Sequence, residues 1–407
     1  MKLHCDIQLP ASKSESNRAL MIAAYGDFSP DFQNLSDSTD TLVLADAMRK
    51  IQQNNAVIDI ADCGTAARFL TTFLACREGE WILTGTERMK QRPVAPLVEA
   101  LRGLGSDIQY VEKDKCLPLR IVGKPIEGGK VQIEMHQSSQ FASSLLLSAP
   151  MWLQGLEIEL HGELSSLPYL EMTLTMMRHF GADVERDERT IFVKPKPYQS
   201  KSFTVEADWS AASYWYEMAA FSEACEIKLR GLSLPSIQGD AVIVDWMKLL
   251  GVGTFVENDA IVLRKIPFEK RPLCFDFSAH PDLFPTMAAT CAAMQIEARF
   301  SGISNLNVKE SDRLRSMKNE LIKIGVEMNK ISDESVLIMP CSHLPSFDSS
   351  QPLLFSAHND HRVVMSLAPL ALRIGAICFD DMDVVRKSYP HFWSDVSFVL
   401  ENSTEMT

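Results

Sequence analysis

Several short segments of this chain bring cations together with serine, threonine or glycine at what read as helix starts. Residues 9–24, LPASKSESNRALMIAA, place Ser12, Ser14 and Ser16 between Lys13 and Arg18 where a strand gives way to a helix. Free N–H groups, hydroxyls and two cations there suit a phosphate or carboxylate, although an ordinary capped amphipathic helix would use the same residues. Residues 62–75 open DCGT, where Gly64 permits close backbone approach and Arg68 follows one turn inside. Residues 85–101 carry Arg88, Lys90 and Arg92 ahead of Pro93, which suits a first helical position; they form a second clamp or a solvated loop. In residues 136–146, Ser138, Ser139 and Gln140 precede an apolar helix, and a plain cap would need only one of the three. Residues 307–321 pack Lys309, Glu310, Asp312 and Arg313 before an amphipathic helix, either as a surface charge cluster or as a carboxylate tuned for proton transfer. In residues 356–371, His358 and His361 bracket Asp360. A metal site is disfavoured because no further ligand set lies nearby, and Asp360-His361-Arg362 reads better as another anion-facing helix start. Asp282 opens a further such helix, and Lys387 sits in a polar loop.

The elements that would position these groups recur. Four amphipathic helices end on Gly105, Gly181, Gly251 and Gly325, each followed by an alternating strand. The spacing is roughly 70–76 residues, longer than the usual solenoid period of about 20–50. A second series interleaves, in which small residues lead into almost wholly apolar helices at Gly64, Ser138, Ser210, Pro285 and His361, a composition expected of helices buried on most faces. About six units of buried helix, outer helix and strands fit, three per domain. A domain crossing is expected near residue 207, with a partner near residue 11 if the N-terminal strand joins the second half.

Bulk properties bound the function. The 407 residues suit two domains. Hydrophobic residues at 46% and charged residues at 23% are globular values. No apolar run is long enough for a membrane span, and Asp6 and Gln8 interrupt any signal-like start, so a cytoplasmic protein is expected. Nine scattered cysteines fit reduced thiols. A net charge of −13 with no basic stripe argues against nucleic acid; anionic small molecules would need cations gathered locally.

In this order the segments resemble the EPSP synthase family along nearly the whole chain. The Ser-Lys-Ser-x-Ser-Asn-Arg run stands at Ser12 to Arg18, and the Arg-Met-Lys-x-Arg-Pro, Ser-Ser-Gln, Pro-Tyr, Gln-Gly-Asp, Lys-Glu-Ser-Asp-Arg-Leu and Asn-Asp-His-Arg patterns follow. The resemblance implies a two-domain inside-out α/β barrel fold with three βαβαββ repeats per domain. One domain would comprise residues 1–11 and 208–407 and the other residues 12–207, with hinges at 11–12 and 207–208 and helix N-termini facing a cleft that closes on substrate. The implied reaction moves the enolpyruvyl group of phosphoenolpyruvate onto the 5-hydroxyl of shikimate 3-phosphate, without cofactor or metal, in a monomer that glyphosate inhibits. Shikimate 3-phosphate would be held by Lys13, Ser14, Arg18, Ser138, Ser139, Gln140, Ser166, Tyr169, Asp282, Asn305 and Lys309. Phosphoenolpyruvate would be held by Lys13, Gly64, Arg92, Gln140, Arg313, Arg362 and Lys387. Asp282, Glu310 and Lys13 would carry the proton traffic. The chain departs from the family pattern at Ala11, Asp62, Cys63, Phe69 and Ala207; Asp62 adds a negative charge near the phosphoenolpyruvate residues. Two rival readings are a UDP-N-acetylglucosamine enolpyruvyl transferase, which would use Cys116 as a loop thiol, and a non-catalytic repeat protein that binds partners.

Overall fold

The computed structural model describes residues 1–29, 31–135, 139–162 and 164–401. The chain divides into two compact units, Met1–Ala11 with Glu206–Thr407, and Ser12–Val205. Ala11 and Ala207 pair in an antiparallel bridge, and the Asp208 N–H donates to the Pro10 carbonyl at 2.9 Å.

One βαβαββ pattern builds both units. It runs complete through Val57–Asp59, Gly64–Cys76, Gly79–Thr84, Ala95–Gly103, Asp107–Tyr110 and Leu119–Gly123, and again from Gly129–Glu134 and from Leu273–Asp276. In each sheet the first two strands are parallel and the last two form an antiparallel hairpin on the second strand. The sheet of Lys2–Gln8, Ala224–Arg230, Ala260–Lys265 and Val252–Glu257 has the same order. Lys2–Gln8 alternates exposed and buried side chains without a break, as a strand with one face on the core must. Among the described residues, each unit holds two four-stranded sheets and one two-stranded sheet. The sheets are separate, and no closed ring of strands is formed among the described residues.

The sheets enclose the apolar helices. Every residue of Trp209–Phe221, Phe284–Ala293 and His361–Leu367 is buried, as are twelve residues of Gly64–Cys76. Alanine, serine and threonine let these helices approach closely, and hydroxyls join them. Ser213, Thr286 and Ser366 form a chain with both links at 3.1 Å. In the other unit Thr72 meets Ser144 at 2.6 Å, and Thr173 donates to Ser143 at 2.9 Å. Buried hydroxyls satisfied by one another fix helix register without desolvating an unpaired group. The outer helices end as the sequence requires: Gly105, Gly181, Gly251 and Gly325 have φ of 89°, 90°, 82° and 78°, a left-handed turn that a side chain would disfavour. No described helix is long and apolar enough to cross a membrane.

Candidate active site

In the unit containing both termini, three segments converge on one guanidinium. Arg313 opens the helix Arg313–Leu321, capped by the Asp312 side chain at the Arg315 N–H. Its side chain is 1% exposed. Nη1 donates to Asp282 Oδ1 at 2.6 Å, Nη2 to Glu310 Oε2 at 2.8 Å and Nε to Asp360 Oδ2 at 3.0 Å. Asp360, fully buried, is the N-cap of His361–Leu367, where Oδ1 accepts from the Arg362 N–H at 3.0 Å and Oδ2 also accepts from Ser311. Arg362 Nη2 reaches the second oxygen of Asp282 at 2.8 Å. Asp282 therefore sits between two arginines. Burial alone would raise its carboxyl, but Arg362, Arg313 and Lys309 outweigh burial and hold it far below the usual carboxylate range. The same carboxylates keep Arg313 protonated against its own burial. Lys309 and Glu310 are half-buried. Asn305 is buried, and its side-chain oxygen has no hydrogen-bond partner among the described residues. Lys387 closes a short turn, Asp383–Lys387, that packs against the Arg362 helix.

In the unit Ser12–Val205, Arg18 and Arg68 donate to neutral acceptors, whereas Lys13 meets a carboxylate. Lys13 is the first residue of Lys13–Gly26, capped by Ser12 at the Glu15 N–H, and its Nζ lies 3.2 Å from Asp40 Oδ2. Arg18, one turn on, is buried: Nε donates to Thr173 Oγ1 at 2.7 Å, Nη1 to the Ser14 carbonyl at 2.9 Å and Nη2 to the Tyr169 carbonyl at 3.1 Å. Burial pulls the guanidinium down to about 10, still charged at neutral pH. Ser166, the N-cap of Leu167–His179, is buried in a left-handed conformation at φ 56° and makes no side-chain cap bond, a conformation that costs a non-glycine residue roughly 1–3 kcal/mol. Tyr169 donates its N–H to the Ser166 carbonyl. Ser139 and Gln140 open Ser139–Ser148, and Gln140 Nε2 donates to Thr65 at 3.3 Å. Ser138 lies outside the described residues.

Gly64 begins Gly64–Cys76, whose N-cap is the Cys63 thiol. A Cβ at Gly64 would stand 2.6 Å from Arg92 Nη1 and 3.0 Å from Arg68 Nη1, so glycine is what admits both guanidiniums. Arg68 is spent on the Gly64 and Pro93 carbonyls. Of the basic run before Pro93, Lys90 pairs with Glu87 and Glu112 in the exposed loop, leaving Arg92 as its contribution beside Gly64. Asp62 is exposed and accepts a short bond from Thr86. Phe69 is buried with the Arg18 guanidinium 5.7 Å from its ring centre. Cys116 lies in the connection between Asp107–Tyr110 and Leu119–Gly123, and there it is buried.

Sequence reading missed Asp40 as the partner of Lys13, Thr173 as the acceptor for Arg18, and Asp360 as a ligand of Arg313; in each case the partners are far apart in the chain. A cluster of buried Ser210 and Asp240 with half-buried His280 was also missed, although Asp240 belongs to the Gln-Gly-Asp pattern.

Comparison with known proteins identifies the family. Residues 49–396 match the family model for EPSP synthase (3-phosphoshikimate 1-carboxyvinyltransferase). A protein of Bacteroides fragilis strain YCH46 named 3-phosphoshikimate 1-carboxyvinyltransferase is 41% identical over 97% of this chain and 95% of its own length. One of the same name from Syntrophobacter fumaroxidans is 33% identical over 96% of each. The fold matches a solved EPSP synthase from Acinetobacter baumannii with a TM-score of 0.77 and 20% identity, covering 98% of this chain and 96% of that one. The chain belongs to the EPSP synthase family.

Proposed function

We propose that this chain transfers the enolpyruvyl group of phosphoenolpyruvate to the 5-hydroxyl of shikimate 3-phosphate, releasing phosphate. The observation that carries the reading is Arg313, which holds Asp282, Glu310 and Asp360 together beside Arg362. Two carboxylates on separate segments can then serve two proton transfers. Addition needs a base at the attacking hydroxyl and an acid at the methylene carbon. In this reading Asp282 takes the hydroxyl proton as oxygen bonds to C2 of phosphoenolpyruvate, and Glu310 delivers a proton to C3. Elimination reverses the second transfer: Glu310 removes a proton from the new methyl group as the C–O bond to phosphate breaks. One C–O bond forms at C2, the C–O bond to phosphate breaks, and the accompanying transfers are of protons, which carboxylates and cations can supply.

Without ligand, Asp282 is a weak base because two guanidiniums bind its oxygens. An anionic substrate that engages Arg362 and Arg313 competes for those N–H groups and offsets their field. Asp282 thus gains basicity when substrate is present. Phosphoenolpyruvate is assigned to Lys13, Gly64, Arg92, Gln140, Arg313, Arg362 and Lys387. Shikimate 3-phosphate is assigned to Lys13, Ser14, Arg18, Ser138, Ser139, Gln140, Ser166, Tyr169, Asp282, Asn305 and Lys309. Arg18 supports its part, since three of its five donors go to neutral acceptors, and Glu15 acts on it only through charge. Lys13 would steady the departing phosphate.

The test is phosphate release from phosphoenolpyruvate, with shikimate 3-phosphate and UDP-N-acetylglucosamine as parallel acceptors and Glu310→Gln as control. Release that requires shikimate 3-phosphate and collapses in the variant is expected. Release with the nucleotide sugar alone, or none from folded protein, would overturn the reading.

A further inference from the structure

The turn that carries Asp282 has a buried neighbour that the reaction scheme leaves unused. Asp240, in the short turn Gly239–Val242, is 4% exposed. Ser210, in the first turn of Trp209–Phe221, donates a short hydrogen bond to its Oδ2. Oδ1 has no hydrogen-bond partner among the described residues, and neither has the buried Nδ1 of His280. These two atoms are 3.9 Å apart, beyond hydrogen-bond distance. The imidazole is packed edge-on against Trp246 with ring centres 5.6 Å apart. Its residue shares a turn with Asp282, because the His280 carbonyl accepts from the Leu283 N–H at 3.1 Å.

Five groups act on the Asp240 carboxyl, two at close range and three through their charge. Ser210 and Asp208 come from the helix Trp209–Phe221 and its cap, His280 and Asp282 from the turn, and Arg362 from His361–Leu367. Burial pushes His280 down to about 4, so at neutral pH it is uncharged. Arg362 is therefore the one cation of the five, and it already donates to Asp282. Burial first, then the charge of Asp282, raise Asp240 to about 7, against the lowering effects of Arg362 and Ser210. A neutral imidazole nitrogen accepts from a carboxylic acid or donates to a carboxylate. The Asp240–His280 gap can thus close in either protonation state after a shift of about an ångström.

We propose that Asp240 is a positioning residue for Asp282, its charge setting how strongly Asp282 draws the proton from the acceptor hydroxyl; this rests on the reading of Asp282 as the base. With Asp240 protonated, Asp282 answers only to its arginines. With Asp240 ionised, a second negative charge offsets part of that field, and the two carboxyls titrate as a coupled pair. The rate constant of the chemical step then rises with pH as Asp240 loses its proton.

The experiment measures phosphate release by the full chain with both substrates from pH 5.5 to 9, for the unmodified protein, Asp240→Asn, Ser210→Ala and Asp282→Asn, with thermal midpoints recorded for each. The unmodified protein is expected to show an ascending limb in kcat near pH 7. Asp240→Asn loses that limb and runs about three- to tenfold lower at pH 8.5, with both KM values within about twofold. Ser210→Ala removes a hydrogen bond that favours the ionised carboxyl, so its limb moves to higher pH. A pH-independent loss in Asp240→Asn, or none, overturns the proposal while an inactive Asp282→Asn leaves the base reading standing. If Asp240→Asn does not fold, an unmoved limb in Ser210→Ala overturns it. Full activity in Asp282→Asn overturns the base reading and the proposal together.

Discussion

Replacing Arg313 by methionine keeps the apolar stem and removes a group that touches three carboxylates. The side chain is 1% exposed and makes three charge-assisted hydrogen bonds of 2.6, 2.8 and 3.0 Å. Removing one member of a buried charge cluster costs about 3–5 kcal/mol. For a unit of this size that lowers the thermal midpoint by roughly 8–15 °C. Arg313→Lys keeps the charge but cannot serve three oxygens from one ammonium, and about half the loss is expected. The pH dependence separates charge from packing. In the unmodified protein Asp282 titrates below its unfolded value. Its contribution is therefore present above the usual carboxylate pKa of about 4 and is lost as pH falls below it. In Arg313→Met the carboxylates face one another in a buried site, and their folded values rise above the unfolded ones. The variant's deficit is then largest at pH 8 and shrinks toward pH 5, where protonation relieves the repulsion. Thermal melts at low salt across that range measure it, alongside phosphate release, which should fall more than about a hundredfold. A midpoint deficit equal at pH 5 and pH 8 would refute the electrostatic account and leave a packing defect.

Glu217 is fully buried, with neither carboxyl oxygen hydrogen-bonded among the described residues, and burial raises its carboxyl well above the usual range. The folded state thus favours the protonated acid, and stability falls by about 1.4 kcal/mol per pH unit above the unfolded value of about 4.3. Glu217→Gln should melt higher than the unmodified protein at pH 8 and converge with it near pH 5, and parallel melting curves would count against it. In Gly64→Ala the new methyl group meets Arg92 Nη1 at 2.6 Å. Displacing that guanidinium should raise the KM for phosphoenolpyruvate about tenfold, with kcat changed much less, as steady-state kinetics will show. Thr173→Val removes the acceptor for Arg18 Nε and the link to Ser143. A loss of about 1–3 kcal/mol in denaturant titration and a raised KM for shikimate 3-phosphate are expected, while an unchanged KM would separate Arg18 from that substrate.

The repeat was legible because its signals are local. A glycine at a helix end is read from its own segment, and Gly105, Gly181, Gly251 and Gly325 all adopt positive φ. The nearly apolar helices were equally plain, since FASSLLL and MAATCAAM carry only small hydroxyl groups and no charged face to offer solvent. Pairing between segments was not legible. Glu310 and Arg313 are three residues apart and could be coupled from the sequence, but Asp282 and Asp360 reach the same guanidinium from 31 and 47 residues away. Nothing in their own segments fixes that meeting. The basic run at Arg88, Lys90 and Arg92 shows the same limit, because alternate residues of a loop face different ways, and Lys90 went to surface carboxylates.

The tertiary pairings divide the cations by the company they keep. In the unit Ser12–Val205, Arg18 and Arg68 bond to hydroxyl and carbonyl oxygens, which orient a guanidinium without cancelling its charge. In the other unit, Arg313 and Arg362 bond to carboxylates. A cation held by neutral acceptors gains a counter-charge when a phosphate arrives, so it serves affinity. A cation held by a carboxylate exchanges one anion for another, so the arriving phosphate gains little net energy but loosens the hold on the carboxylate. The second arrangement suits groups that must be quiet bases alone and active bases with substrate present. In the proposed reaction of a chain with a net charge of −13, cations of the first kind would serve to attract phosphorylated anions, and those of the second kind would release carboxylates for proton transfer.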